Sequence, residues 1–276
     1  MPSMSSPLDL IARIGAVATL AVAAVAGSKQ GSPNWMFMQE AQAEIRRDGL
    51  DGLERMKDRW LSDGHEGPID LSGIDLSAAR LEGADLERAI LRDAILIDTN
   101  LSRARLGYAD LRGANLTSTT LNRANLSGAR FTGAIMRLVS AKNALFSDAK
   151  LNSVNLDGAD FGGADISGAD FTESVLAGAN LNDANAMQAN FHRANLQDTR
   201  LAGTQFQGAR LDQPWRLQRR LPYHVVVEYL QGARFDAATT WPAGFTEEDA
   251  VMGGATPEHR RVASAGKGHW WRPSGV

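Results

Sequence analysis

Residues 69–90 have the sequence IDLSGIDLSAARLEGADLERAI, in which leucine occupies every fifth position from Leu71 onward. The same spacing of apolar residues continues to Leu211 without a change of phase, and only Ala141 and Ala186 among these pentad centres are small. From Ala79 onward, the residue two positions before each centre is mostly alanine. A five-residue period fits neither a single helix nor a flat strand. The chain is therefore expected to turn a corner every five residues, with one large and one small side chain of each pentad inside.

Three segments carry a family resemblance: ADLER at residues 84–88, ANLTS at 114–118 and ADFTE at 169–173. They resemble the A(D/N)LXX signature of pentapeptide-repeat proteins, and the resemblance extends over roughly half of the chain. It implies an all-β fold, a right-handed quadrilateral β-helix in which four pentads make one coil. The repeat would then form about seven coils, which at ~4.8 Å per coil gives a rod roughly 34 Å long.

The two small pentad centres raise a packing question inside the predicted rod. Ala141 and Ala186 are each followed, one coil later, by a phenylalanine, Phe161 and Phe206 respectively. Interiors of proteins are densely packed and tolerate few voids. We therefore expect Phe161 and Phe206 to fill the space that the two alanines leave.

The N-terminal region, residues 1–33, is predicted to be a membrane anchor or a signal segment followed by a linker. Residues 8–26 are mostly apolar, and residues 14–26 contain no charge. A membrane-spanning helix needs about 20 predominantly apolar residues. Trp35 and Phe37 follow the segment at a distance suited to the membrane interface. These features favour an N-terminal apolar helix that contacts the lipid bilayer.

The orientation of this anchor is predicted from the basic residues on its two sides. Lys29, Arg46 and Arg47 follow the segment, whereas Arg13 alone precedes its uncharged part. The positive-inside rule then places the repeat domain in the cytoplasm, on a single-pass protein of a bacterial inner (cell) membrane. The alternative is a periplasmic or secreted protein, because the small residues at 24–26 resemble a signal-peptide cleavage site.

The remaining sequence divides into four further parts. Residues 34–68 are predicted to form two short helices that cap the first coil, since solenoids need their terminal apolar faces covered. Residues 69–212 form the repeat, and residues 213–246 form a C-terminal cap. Within that cap, residues 235–245 are similar to the motif with which many pentapeptide-repeat chains finish. Residues 247–276 are predicted to be a flexible tail.

The composition excludes several classes of function. The chain has 276 residues, no cysteine and a pI of about 6.0, so neither thiolate chemistry nor bulk attraction to nucleic acid is expected. The five histidines have no spacing typical of metal ligands. Neither a nucleophile elbow nor a phosphate-binding glycine loop is present in the sequence. The prediction is a protein without catalytic activity, cofactor, metal or small-molecule substrate.

Outward-facing aliphatic residues are the first candidate interaction site. Ile95, Ile135 and Val175 occupy one vertical column of the predicted rod, just before pentad centres. Together with Ile90, Leu138 and Leu145 they predict an exposed apolar region that contacts a protein partner. The alternative is that they have no function, because single exposed aliphatic residues are common on protein surfaces.

Charge is segregated along the rod and gives the second candidate site. Residues 99–150, which we call the basic waist, contain only Asp110 and Asp148 as acids. Their eight basic residues are Arg103, Arg105, Arg112, Arg123, Arg130, Arg137, Lys142 and Lys150. Residues 151–190, the acidic band, contain six acids and neither lysine nor arginine. Either this is an ordinary solvated surface, or it guides docking to a protein of matching polarity.

These features together predict a non-catalytic, membrane-tethered scaffold, for example an accessory subunit of an integral membrane complex. The family resemblance adds an alternative, because some pentapeptide-repeat proteins that protect against quinolones resemble duplex DNA and bind DNA gyrase. Such mimicry needs sustained negative charge, whereas this repeat has seventeen acids against fourteen bases and a basic waist. A secreted structural repeat protein is a further alternative.

Overall fold

The central part of the protein is a four-sided β-helix in the computed structural model, which describes residues 33–211, 233–242, 245–252 and 255–257. From Asp70 to Asn190, each residue that precedes a pentad centre forms a parallel bridge with its equivalent twenty residues later. Four pentads therefore complete one coil, as the sequence predicts. We number the sides of the rod by the first four pentad centres, so that the first side is centred on Leu71 and the fourth on Leu86, and the residues on either side of a centre belong to its side.

Every corner of the rod is a tight turn. At the corner after Leu96, for example, the Thr99 N–H donates to the Leu96 carbonyl over 3.2 Å. All corner residues from Gly73 to Gly208 have a positive φ, and seventeen of them are not glycine. A positive φ at the third residue of such a turn defines a type II turn. Glycine suits these corners because it adopts a positive φ without steric cost, but the fold also holds many side chains in this left-handed conformation.

The interior of the rod is filled by the pentad centres and by the small residues two positions before them. All pentad centres from Leu71 to Leu211 are buried, none more than 8% exposed. Leucine fills the first coils, whereas aromatic rings fill the later ones and contact one another in a continuous series. The series consists of Phe131, Phe146, Phe161, Phe171, Phe191, Phe206 and Trp241. Burial of each large side chain contributes about 1.5–3 kcal/mol, so this interior dominates the stability of the rod.

Two helices cover the N-terminal end of the rod. Helix α1 is Pro33–Asp48 and helix α2 is Leu50–Ser62. The side chains that they bury against the first coil include Ala41, Ile45, Leu53, Met56 and Trp60. Because these residues recur at helical spacing on one face of each helix, the pair acts as a lid over apolar side chains that would otherwise contact water.

Polar groups at the open edge of the first coil are satisfied by the same helices. The Asp75 N–H donates to the Gln42 side-chain oxygen over 3.3 Å, and the Lys57 ammonium donates to the Asp85 carbonyl over 3.1 Å. Unpaired backbone groups at a sheet edge favour aggregation with other strands. The cap therefore covers the apolar end of the rod and also pairs with these two backbone groups at its edge.

The C-terminal end is covered by a partial coil and by two short elements. Strand β1, Arg234–Phe235, continues the third side of the rod through a parallel bridge between Arg234 and Arg200. Trp241 stacks on Phe206 with ring centroids 5.6 Å apart. This part of the predicted cap thus extends the repeat, whereas residues 213–232 lie outside the described residues.

Part of the segment predicted as a flexible tail has regular structure. Residues Glu247–Met252 form helix α3, and Thr256–Pro257 form strand β2, which pairs in parallel with β1. The Thr256 N–H donates to the Ala233 carbonyl over 2.7 Å. These residues therefore continue the cap, and residues 258–276 lie outside the described part of the chain.

The predicted membrane segment, residues 8–26, also lies outside the described residues. Trp35 and Phe37 belong to α1, but their side chains are outside the described part as well. Within the part of the chain that the structure does describe, no helix has both the length and the hydrophobicity needed to cross a bilayer.

Candidate interaction surface

A single hydrogen bond explains why aspartate or asparagine precedes most pentad centres. In the regular coils, the N–H of the residue after the centre has no backbone acceptor among the described residues. Wherever Asp or Asn precedes the centre, its side-chain oxygen accepts this N–H, as Asn115 does from Thr117 over 3.1 Å. The same bond recurs at all such positions from Asp70 to Asn195. The signature residue is therefore a local turn cap of the Asx type.

The longest unbroken run of positions without this turn cap lies in the middle of the rod. Arg130, Ile135, Ser140, Leu145 and Lys150 occupy five successive positions where Asp or Asn is otherwise common. The first four belong to one complete coil, residues 129–148, which we call the middle coil. Functional sites are where a sequence is expected to depart from its own local rule. The middle coil therefore contains the candidate interaction site, on one of its sides.

The predicted apolar column lies on the second side of the rod, with only part of it exposed. Ile135 is 41% exposed and Val175 is 38% exposed, whereas Ile95 is half-buried. Leu138, at the corner beside Ile135, is 59% exposed and has a positive φ. These side chains form one surface. Leu145 does not belong to it.

Leu145 lies on the opposite side of the rod because it is ten residues, or two pentads, beyond Ile135 in a coil of four pentads. It is 44% exposed, so it is available for contact, but not together with the other aliphatic residues. The expectation of one region that includes Leu145 is therefore wrong. The exposed aliphatics occupy two opposite faces.

The basic waist is distributed over the rod, and several of its arginines form ion pairs. Arg103 pairs with Glu82, and Arg105 pairs with Asp85 and Glu87. Exposed pairs of this kind contribute at most about 1 kcal/mol each, but they neutralise the charge that a partner would meet.

The other arginines of the waist differ in their contacts. Arg112 donates two hydrogen bonds of 2.7 Å to Asp110. Arg123 and Arg130 have no ion pair among the described residues, and Arg130 is bridged to Lys150 in the next coil. Two adjacent cations without an acid are destabilising in a sheet. The free positive charge of the waist is thus concentrated on Arg123, Arg130 and Lys150.

Asp110 is the most strongly stabilised carboxylate of the rod. Hydrogen bonds from Arg112 and Arg92 hold its pKa well below the usual range, despite the opposing effect of burial. It also caps its own turn by accepting the Arg112 N–H. Asp110 therefore cross-links two coils directly below the middle coil.

Two aspartates directly above the middle coil are also held in the charged form. Burial alone would raise the pKa of Asp160, but the Gly162 N–H, Asn180 and Lys142 lower it overall. For Asp165, burial is similarly outweighed by hydrogen bonds from Ser167, Ser147 and Asn185.

Several exposed residues were not identified as candidates from the sequence. Tyr108 is 65% exposed at a corner, and a Cβ added at Gly128 would lie 2.6 Å from its ring. Met187 is 39% exposed on the same side as Leu145. The signal for Tyr108 was available, because a large residue at a corner is followed by glycine twenty residues later. Among the described residues, no group of histidines and acids has the arrangement of a metal site.

The sequence matches a family model described as pentapeptide repeats, with eight copies, over residues 69–107, 99–137, 142–178 and 174–213. Pentapeptide-repeat proteins form right-handed β-helices, which is the fold described above. They are in general structural or interaction proteins rather than enzymes. A search of curated proteins finds no match to the chain.

Several solved structures are similar to parts of the chain. Rfr23, a pentapeptide-repeat protein from the cyanobacterium Cyanothece 51142, is 27% identical over 39% of this chain and 63% of its own, with a TM-score of 0.33. The similar region thus spans less than two thirds of Rfr23. HetL, from Nostoc sp. strain PCC 7120 and involved in heterocyst differentiation regulation, is 30% identical over 57% of this chain and 90% of its own, with a TM-score of 0.22. QnrB1, a plasmid-mediated fluoroquinolone resistance protein, is 21% identical over 61% of this chain and 80% of its own, with a TM-score of 0.31.

The family model covers about half of the sequence and coincides with the pentads whose centres are buried in the rod. The chain therefore belongs to the pentapeptide-repeat family.

Proposed function

We propose that this protein is a non-catalytic scaffold that binds another protein through the outside of its rod while residues 8–26 hold it at the membrane. The observation that carries the proposal is the middle coil. None of its four residues that precede a pentad centre is Asp or Asn, whereas three of the four are in each adjacent coil, and two of the replacements, Ile135 and Leu145, are exposed aliphatic residues. Three of the four missing caps each forgo a hydrogen bond of about 0.5–1.5 kcal/mol. At the fourth, the Lys142 N–H donates instead to the Asn122 side-chain oxygen over 2.9 Å. Such a departure is expected where a surface is used for binding.

The filled interior supports a role that is confined to the surface. The pentad centres are buried apolar side chains, so the polar groups available for recognition are on the outer positions of each pentad. Rigid repeat surfaces of this kind are suited to contact other macromolecules over a large area. The partner is proposed to be a protein, with an integral membrane complex as the form that the anchor favours.

The tether is proposed from the sequence of residues 8–26, with the rod on the cytoplasmic side of the inner membrane. A Leu20→Lys variant of the full chain tests it, since one lysine at the centre of an apolar span costs about 2.5–3.5 kcal/mol of insertion free energy. We expect the unmodified chain in the carbonate-resistant membrane fraction and the variant in the soluble fraction. A wholly soluble chain that starts at Gly27 would instead establish the secreted alternative.

The partner is best sought by crosslinking in native membranes, followed by identification of the captured proteins. The double variant Ile135→Glu/Val175→Glu should abolish capture without lowering the thermal stability of the rod, because both side chains are exposed. Leu145→Glu, on the opposite side and equally exposed, is the matched control. Capture that survives the double variant would exclude this surface.

Gyrase binding remains the second candidate that the family suggests. Within the described rod, no vertical column carries an unbroken series of acids, and the first side presents Arg130 and Lys150 in succession. A supercoiling assay with the full chain distinguishes the two functions. Inhibition of gyrase at micromolar or lower concentration would contradict the scaffold proposal.

A further inference from the structure

One column on the second side of the rod, formed by the residue just before each pentad centre, alternates between apolar and polar residues from coil to coil. Its apolar members are Ile95, Ile135 and Val175, and we call the coils that contain them the apolar coils. Leu138 extends the apolar surface beside Ile135, whereas Arg137 between them is charged and exposed. The coils that follow the apolar coils have Asn115, Asn155 and Asn195 in this column. Apolar contacts therefore repeat every two coils.

The alternation is matched by the backbone hydrogen bonds. Each asparagine of the column caps its own turn, at distances of 3.0 to 3.1 Å. The N–H groups of Ile97, Arg137 and Ala177, in the apolar coils, have no acceptor among the described residues. The apolar positions are thus not explained by the stability of the coil itself, because asparagine would satisfy one more N–H at each.

The spacing of the apolar coils fits a helix better than a strand. Two coils at ~4.8 Å each separate successive apolar contacts by ~9.6 Å. Residues seven apart on an α-helix are separated by ~10.5 Å, a difference of about 1 Å that side-chain rotation can absorb. Side chains on one face of a strand repeat at ~6.8 Å and would lose register at the second contact. Three apolar coils then match residues i, i+7 and i+14.

The charges along the two edges of the second side indicate the sign of the charge that a docked helix should carry. Six acids border this side, against two bases. The acids are Asp75, Asp93, Asp98, Asp157, Glu173 and Asp198, and the bases are Arg137 and Arg193. Arg137 pairs with Asp157, and Arg193 pairs with Glu173. Asp93, Asp98 and Asp198 have no ion pair among the described residues, so the free charge at both edges is negative.

The negative charge at both edges distinguishes between the possible binding partners of this surface. A second copy of the rod, placed face to face, would bring acids against acids, and an anionic bilayer would be repelled in the same way. A helix with lysine or arginine on both sides of its apolar stripe is complementary to the apolar column and to both acidic edges.

We propose that the second side of the rod is the docking site for a basic amphipathic helix of a partner protein, about fifteen residues long, with an apolar residue at every seventh position. The proposal rests on the proposed scaffold function and specifies the part of the partner that the rod recognises. Ile135 and Leu138 form the centre of the contact, and Ile95 and Val175 form its ends.

A synthetic peptide of 22 residues tests the proposal on the full chain. Its apolar stripe carries leucine at every seventh position and at the intervening fourth positions, with lysine on both flanks. We expect saturable binding in fluorescence anisotropy that weakens as salt is raised, because the flanking charges are exposed. Ile135→Glu should weaken binding at least tenfold. Leu145→Glu, with the same exposure on the opposite side, should leave it unchanged.

Two further probes keep the test specific. A peptide of the same composition with its leucines moved to a six-residue spacing should bind at least tenfold more weakly, and a peptide with glutamate flanks should not bind. Circular dichroism of both variants confirms that the rod is intact. Equal binding of the two leucine spacings, or equal loss with Ile135→Glu and Leu145→Glu, would overturn the helix site. The crosslinking experiment in membranes is independent of the peptide, so the scaffold function survives that result.

Discussion

The middle coil and the coils on either side of it share one kind of interior but differ on the outside. Inside, Phe131, Met136 and Phe146 are as deeply buried as the leucines of the first coils. Outside, each neighbouring coil caps three of its four turns with Asp or Asn, whereas the middle coil has Arg130, Ile135, Ser140 and Leu145 at these positions. The coil geometry thus depends on the buried pentad centres, while the turn cap is a local addition. Because the cap is dispensable, evolution can replace it where a partner must bind.

The largest expected effect concerns the interior of the middle coil, where Ala141 leaves space. Phe161, one coil later, contacts the Phe146 ring edge-on with centroids 5.2 Å apart, so it leans toward the coil of Ala141. Phe161→Ala removes this ring and leaves a cavity. We expect the free energy of unfolding to fall by about 3–5 kcal/mol in a urea titration. A loss well below 1 kcal/mol would show that Phe161 does not fill the gap.

A volume-conserving exchange sharpens the same comparison. Ala141→Phe alone should overpack the middle coil and cost about 1–3 kcal/mol. The double variant Ala141→Phe/Phe161→Ala restores the total volume of the column, so its loss should be smaller than the sum of the two single losses. Strict additivity would mean that the two positions do not share one space.

The interior and the corners of the rod were predictable from the sequence, because a five-residue period assigns each position to the inside or the outside. The two helices of the N-terminal cap were likewise predicted from the sequence, within residues 34–68. The side of the rod on which a residue lies also depends on the number of residues in one coil, which is twenty. Leu145 was assigned to the wrong face although its ten-residue distance from Ile135 already implied the opposite side.

Contacts between side chains were beyond the sequence pattern. The charge segregation predicted a basic waist, but not that Arg103 and Arg105 would be neutralised by acids of the preceding coil. The turn-capping role of Asp and Asn also depends on which backbone N–H lacks an acceptor, and only the coil-to-coil hydrogen bonds reveal this. The five-residue repeat defines whether a residue lies inside or outside the rod. The hydrogen bonds and ion pairs of that residue depend on which side chains are its neighbours in the adjacent coils.

An intermediate effect is expected for the carboxylates that flank the middle coil. Asp110→Asn weakens the hydrogen bonds to Arg92 and Arg112, which lie one coil apart. Hydrogen bonds to charged groups contribute about 1.5–3 kcal/mol, so we expect a loss of this order at pH 7 in urea titrations. Asp148→Asn, in the middle coil at an exposed corner, is the control and should change the stability little.

The pH dependence gives a separate measurement of the same carboxylates. The folded pKa values of Asp110, Asp160 and Asp165 are lowered, so their contribution is complete above the ordinary aspartate pKa of about 3.9. As the pH falls below that value, the unfolded chain takes up protons before the folded one does, and the free energy of unfolding decreases. Asp110→Asn should reduce the steepness of this decrease between about pH 4 and pH 2. An unchanged slope would contradict the assigned role of Asp110.

The smallest expected change in stability tests the comparison of the coils most directly. It concerns two equivalent positions in adjacent coils, each of which is given the residue type of the other. Ile135→Asn gives the middle coil a side-chain acceptor for the Arg137 N–H, whereas Asn155→Ile removes the acceptor that the Asp157 N–H now has at 3.1 Å. Since a net hydrogen bond contributes about 0.5–1.5 kcal/mol, the first variant should be more stable than the unmodified protein and the second less stable by that amount. Urea unfolding of both variants measures the two differences under identical conditions. A gain in stability for Ile135→Asn, together with loss of the docking peptide, would show that the isoleucine is retained for binding. If Ile135→Asn instead lowers the free energy of unfolding, Ile135 stabilises the coil itself. Its presence would then no longer indicate a binding surface on the middle coil.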